Sequence, residues 1–146
     1  MTDNMHDSDP LGGNVLSIAL ICPSEQRRRT IANALNNSHA AIVREYSSYP
    51  PTLSEMPRML GEKAFDAVII DLESDSEYAL ELVESVAANT ATTVMVYTSR
   101  LDPNLMVRSM RAGAREFLSD PIDPGALSDA LVRASGRRKG GKSAKE

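Results

Sequence analysis

Apolar residues along this chain fall into two kinds of segment that alternate. The first kind is short and β-branched. Residues 14–22 (NVLSIALIC) form such a run between Gly12-Gly13 and Pro23, and 65–71 and 92–98 (TTVMVYT) form two more. Length, composition and flanking turn formers predict buried strands there, with further strands at 40–46 and 115–118. The second kind repeats every three to four residues. Ile31, Ala34 and Leu35 make one apolar stripe behind a Ser24 cap, with Glu25 in the first turn near the positive helix end. Leu80, Val83 and Ala87 make another within a helix over 78–88. Asp102 caps a helix with Pro103 at its first position; Met106, Val107 and Met110 lie on it and Gly113 stops it. Asp123-Pro124 starts a last helix carrying Leu127, Ala130, Leu131 and Ala134. A helix over 52–62 follows the Pro50-Pro51 break and is weakened or started afresh at Pro57. Strand and helix alternate five times with short connections. Parallel neighbours need crossover connections, so the expectation is an α/β fold: a five-stranded parallel sheet with helices on both faces, built as (βα)5.

Composition narrows this picture a little. The 146 residues suffice for one domain with a real core, and 42% hydrophobic with 25% charged is ordinary for a globular protein. No apolar stretch reaches ~18 residues, so no membrane insertion is expected. One cysteine excludes an internal disulfide and fits a cytoplasmic setting. Trp is absent and only six residues are Phe or Tyr, which argues against nucleic-acid binding by base stacking. The net charge of −4 hides an asymmetry. Residues 133–146 carry six bases and one acid, a net +5; ten bases and nineteen acids leave −9 on the rest. Residues 1–13 read as a disordered acidic tail, 14–136 as the folded domain, and 137–146 as a basic Gly-rich linker or tail.

Asp71 is the first candidate for chemistry. It ends the run Ala67-Val68-Ile69-Ile70-Asp71, and a carboxylate just past a buried strand sits at the carboxyl edge of an α/β sheet, where such folds place their sites.

The chain resembles the receiver domain of bacterial response regulators, the CheY-like fold, which implies a flavodoxin-like architecture. The carriers are VIID ending at Asp71, VYTS ending at Thr98-Ser99, and the run from Arg111 to Pro121 (RAGAREFLSDP), close to the A-G-A-x-x-(Y/F)-(L/I)-x-K-P of receivers. The resemblance implies a phosphoacceptor at Asp71, a phosphoryl-binding hydroxyl at Thr98 and an aromatic switch at Phe117. It also implies an acid pair holding Mg²⁺ at the end of the first strand and a lysine before the proline. Here the pair reads Cys22 and Pro23, and the lysine position reads Asp120. A thiol and a ring without an N–H offer Mg²⁺ no oxygen ligand. At ~4 Å and an effective dielectric of ~20, two like charges repel by about 4 kcal/mol, so Asp120 would oppose a charged site. Glu25 reads either as an acid at a helix N-terminus or as a substitute ligand that swings in. Among atypical receivers the chain resembles the N-terminal domain of TadZ/CpaE-type pilus-assembly proteins, which join a degenerate receiver to a MinD/ParA-like ATPase.

Other motifs carry two readings each. Cys22 is a reactive thiol or a small buried filler. His6 and His39 read as surface residues. GRRKGGKS (136–143) fits a phosphate-loop pattern but lacks the preceding strand, so it reads as linker. Arg27-Arg28-Arg29 begins a helix, where positive charge is unfavourable, so either acidic partners or salt bridges within the chain should compensate. Met106, Met110, Arg111 and Phe117 lie on the helix 4–strand 5–helix 5 face, the usual partner face of receivers, and are interface candidates or core residues.

Three functions compete. The first is a non-enzymatic, phosphorylation-independent receiver with no cofactor. It would bind protein or form a homodimer through that face, and would localise an attached ATPase. The second is a two-component receiver phosphorylated on Asp71 with Mg²⁺. The third is a receiver that binds a small ligand at its altered site.

Overall fold

The computed structural model describes residues 16–37, 41–61, 65–88 and 91–144. The expected N-terminal tail and both histidines lie outside them. Five strands, β1 (Leu16–Ile21), β2 (Ala41–Tyr46), β3 (Ala67–Asp71), β4 (Thr93–Thr98) and β5 (Glu116–Ser119), form one parallel sheet in the order β2-β1-β3-β4-β5. Between and after them run α1 (Glu25–Asn36), α2 (Met56–Leu60), α3 (Ser76–Ala87), α4 (Pro103–Ala112) and α5 (Pro124–Ala144). The expected (βα)5 alternation is the observed one, with element ends moved by a residue or two.

Strand periodicity divides the core. Ile18, Leu20 and Cys22 of β1, with Ile69, Met95, Tyr97 and Leu118, pack under Ile31 and Leu35 of α1 and Leu127 and Leu131 of α5. Ala19 and Ile21, with Val68, Ile70, Val94 and Val96, face the other way, against Met56, Leu82, Val83 and Val86. Successive strand residues point to opposite faces, so a two-sided core requires the unbroken apolar runs seen in the sequence.

Two helices depart from expectation. A 3₁₀ turn (Leu53–Glu55) precedes α2, which starts afresh with Pro57 in its first turn, where no N–H is needed, and ends at Gly61 with φ +87°. The last helix does not stop near Gly136. It continues to Ala144 through the stretch expected as a linker, although Ala134 is its last residue in the described core. Each helical Gly costs only about 1 kcal/mol relative to Ala, and the Arg, Lys and Ala between them favour helix. Gly113 is required where it stands. Its φ is +121°, and a Cβ there would lie 2.4 Å from the Ala87 Cβ at the end of α3.

Candidate functional site

In the order β2-β1-β3-β4-β5 the chain winds one way from β1 and the other from β3, so a crevice opens at the carboxyl ends of these two strands. Asp71 stands there, fully buried. A buried carboxylate is tolerated only when its charge is paired and hydrogen-bonded. The loop after β3 supplies part of this: the Glu73 N–H donates to Oδ1 at 3.2 Å, and the Ser74 N–H and hydroxyl donate to Oδ2 at 3.2 and 2.8 Å.

Arg27 supplies the charge. It sits in the first turn of α1, where the Ser24 side chain accepts its backbone N–H at 3.3 Å. Its guanidinium meets Asp71 as a fork, Nε to Oδ1 and Nη2 to Oδ2, both at 3.1 Å. Nη2 also donates to Ser74 Oγ at 2.9 Å, and Nη1 lies 3.3 Å from Glu73 Oε1. One cation thus bridges two carboxylates. Burial alone would lower the Arg27 pKa, but the hydrogen bond and charge of Asp71, with the charge of Glu73, raise it above its ordinary value.

The Glu73 carboxylate is turned towards the end of β4. Its Oε2 accepts the Ser99 N–H at 2.5 Å and the Ser99 hydroxyl at 2.6 Å. Partial burial opposes its charge. The Ser99 bonds and Arg27 outweigh that and hold its pKa below the ordinary carboxylate value. Tyr49, on the loop after β2, donates its hydroxyl to the Asp71 carbonyl at 2.5 Å and stacks edge-on against Tyr78, ring centres 5.8 Å apart. Burial, then the Asp71 charge, pushes its pKa up.

The residues singled out in the sequence are distributed around this cluster. Asp71 and Thr98 both lie buried at strand ends. The Thr98 hydroxyl donates to the Arg100 carbonyl at 2.5 Å, turned into its own loop. Cys22 is fully buried in the core, with its thiol directed at the Ser24 carbonyl at 3.4 Å; burial, then Asp71, raises its pKa to about 11. Pro23 follows without an N–H. Asp120 is turned to β4. Its Oδ2 accepts the hydroxyl of the buried Tyr97 at 2.7 Å, and the two carboxylates share no partner. Glu25 pairs with Arg29 on the helix surface at 2.9 Å. Phe117 is half-buried against the core face that includes Leu105 and Ala112. Met106 is half-buried, Val107 and Met110 are exposed at 47% and 39%, and Arg111 is exposed.

These residues do not fit Mg²⁺. Both Asp71 oxygens are taken by N–H, hydroxyl and guanidinium donors, Cys22 and Pro23 bring no oxygen side chain, and the local cation is Arg27. Among the described residues no group of three His, Cys, Asp or Glu could hold a metal ion.

The sequence model of the response regulator receiver domain matches residues 20–132. The chain belongs to the receiver family. No curated protein matches the sequence. Solved structures similar to this receiver include a putative pilus assembly-related protein from Burkholderia pseudomallei, at 24% identity over 84% of this chain and 91% of that one, with a TM-score of 0.71. A putative pilus assembly protein, CpaE, from Burkholderia thailandensis matches at 24% identity over 84% and 99%, also with a TM-score of 0.71. A response regulator from Thermotoga maritima matches at 19% identity over 84% and 99%, with a TM-score of 0.69. At these identities the likeness is one of fold. The Arg27 fork, the Glu73–Ser99 contact and the Tyr97–Asp120 bond had no place in the sequence-based site. The one signal available was the Arg27-Arg28-Arg29 run and its need for compensation. All three are paired: Arg27 with Asp71 and Glu73, Arg28 with Glu45 at 3.4 Å, and Arg29 with Glu25.

Proposed function

We propose that this receiver works without phosphorylation, as a protein-interaction module whose site is closed by its own Arg27. The observation that carries the reading is the two-pronged Arg27–Asp71 contact at 3.1 Å. Phosphoryl transfer to a carboxylate needs a free attacking oxygen and a cation placed on the equatorial oxygens of the incoming group. Here the oxygens accept from five donor groups, and the Arg27 guanidinium points at the acceptor itself.

With no phosphate to shift a population, the partner face is permanently in one state. The proposed face is α4-β5-α5. Val107, Met110 and, at 46% exposure, Val132 present apolar surface beside the exposed Arg111 and Arg115. Two charges are already used within the chain. Arg108 is forked onto Glu77 at 2.7 and 2.9 Å, and Arg133 onto Glu116 at 2.8 and 3.0 Å. The apolar residues and Arg111 therefore carry the contact to a second copy in this reading. The TadZ/CpaE-type resemblance, together with two neighbours titled as pilus assembly proteins, makes a cytoplasmic pilus-assembly apparatus with an attached ATPase the proposed setting.

Intact-mass measurement after treatment with acetyl phosphate and Mg²⁺ tests the reading. The expected spectrum shows the unmodified mass alone. A substantial +80 Da species that disappears in Asp71→Asn overturns it.

A further inference from the structure

Glu73 makes contacts that a carboxylate in a loop does not need for solubility. Its Oε2 accepts both the N–H and the hydroxyl of Ser99, 26 residues away, and its Oε1 lies 3.3 Å from Arg27 Nη1. An N–H, an O–H and a guanidinium converging on one carboxylate is the donor set by which proteins hold small anionic ligands. The donors come from two different elements, the end of β4 and the first turn of α1. The carboxylate comes from a third, the loop after β3. Solvent reaches the carboxylate: the Glu73 side chain is 27% exposed and, with Thr98, Arg100 and Leu105, lines an open depression of about 360 Å³.

The geometry points to a small-carboxylate site, built from the Ser99 N–H, the Ser99 hydroxyl and Arg27 Nη1, that the chain fills with its own Glu73. Glu73 is thus a tethered ligand. Because it is covalently attached, its effective concentration holds the site occupied at all times. The Glu73–Ser99 bonds fasten the start of the segment leading into α4 to the loop after β3. This deepens the reading of a receiver that is closed to phosphate, and it rests on that reading for its functional meaning.

Chemical rescue tests it. Glu73→Ala leaves the three donors in place and removes the tethered anion. In sodium formate, against sodium chloride at equal ionic strength, the variant should gain melting temperature saturably and its Ser99 amide resonance should move towards the wild-type position. Wild type should show neither response, because its site is full. Equal behaviour of the variant in formate and chloride overturns the inference, as does an equal formate response in wild type. If Glu73→Ala does not fold in chloride, the readout becomes folded yield: recovery in formate alone supports the site, and failure in both salts overturns it. The result is independent of the mass of Asp71, so failure of either claim is visible separately.

Discussion

Replacing Arg27 by Met should be among the most destabilising single changes outside the apolar core. The variant keeps an apolar stem of similar length and loses the guanidinium. That removes two hydrogen bonds to Asp71, one to Ser74 and the ion pair to Glu73. Removing one partner of a buried ion pair costs about 3–5 kcal/mol, because an uncompensated charge is left behind. Two features reduce this. The Arg27 side chain is 24% exposed, so water can partly replace it, and Asp71 keeps the Glu73 and Ser74 donors. The expected loss is about 2–4 kcal/mol, which for a chain of this size is roughly 5–15 °C in Tm. Urea unfolding of wild type, Arg27→Met, Asp71→Asn and the double variant closes a cycle. A neutral amide at 71 needs no cation, so the double variant should be no less stable than Arg27→Met, with a coupling of at least about 1.5 kcal/mol. A loss below about 0.5 kcal/mol in Arg27→Met, or additive losses, refutes the claim that this ion pair is the centre of the site.

Further outcomes follow from the same geometry. Glu73 has a lowered folded pKa, so its contribution is present above its unfolded value of ~4.3 and lost as pH falls through the folded one; Glu73→Gln should flatten the acid limb of stability against pH. Cys22 has its pKa raised to about 11, so the folded state holds the proton more tightly and stability should fall as pH rises from about 9 to 11. Cys22→Ala should remove that slope, and a slope unchanged by the substitution assigns it elsewhere. Gly113→Ala must put a Cβ 2.4 Å from the Ala87 Cβ at a φ of +121°, and should cost at least about 2 kcal/mol by urea unfolding. Sedimentation velocity should show a concentration-dependent dimer that Met110→Glu and Arg111→Glu weaken; a strict monomer, or a dimer indifferent to both, removes the α4-β5-α5 face from the account.

The fold was legible because its two periodicities are clean. Runs such as Ala67–Ile70 are apolar at every position, which only a strand covered on both faces requires, and the caps at Ser24, Asp102 and Asp123 mark helix starts within a residue. The site was legible only in part. Asp71 could be placed at the sheet edge from its strand, but its partner could not, since Arg27 lies 44 residues away and one of three adjacent arginines points there. The direction an arginine takes depends on helix rotation about β1, which local pattern does not contain. The orientation of Asp120 was illegible for a similar reason. An aspartate there can face Asp71 or turn away, and the hydroxyl of Tyr97, buried on β4, is what its carboxylate accepts. Glu73 and Ser99 gave no signal, because their contact depends on β3 and β4 ending in register, Asp71 opposite Tyr97. The length of α5 was illegible because Gly136, Gly140 and Gly141 read locally as breakers, although the Arg, Lys and Ala around them favour helix.

The most direct test of a site already closed by its own side chains is a ¹H–¹⁵N titration of the whole chain with Mg²⁺ and then beryllofluoride. The account predicts that the Arg27 Nε–H resonance and the amides of Glu73, Ser74 and Ser99 keep their positions at every concentration. Saturable shifts at these four groups, with the Arg27 Nε–H signal moving as Asp71 is released, contradict it.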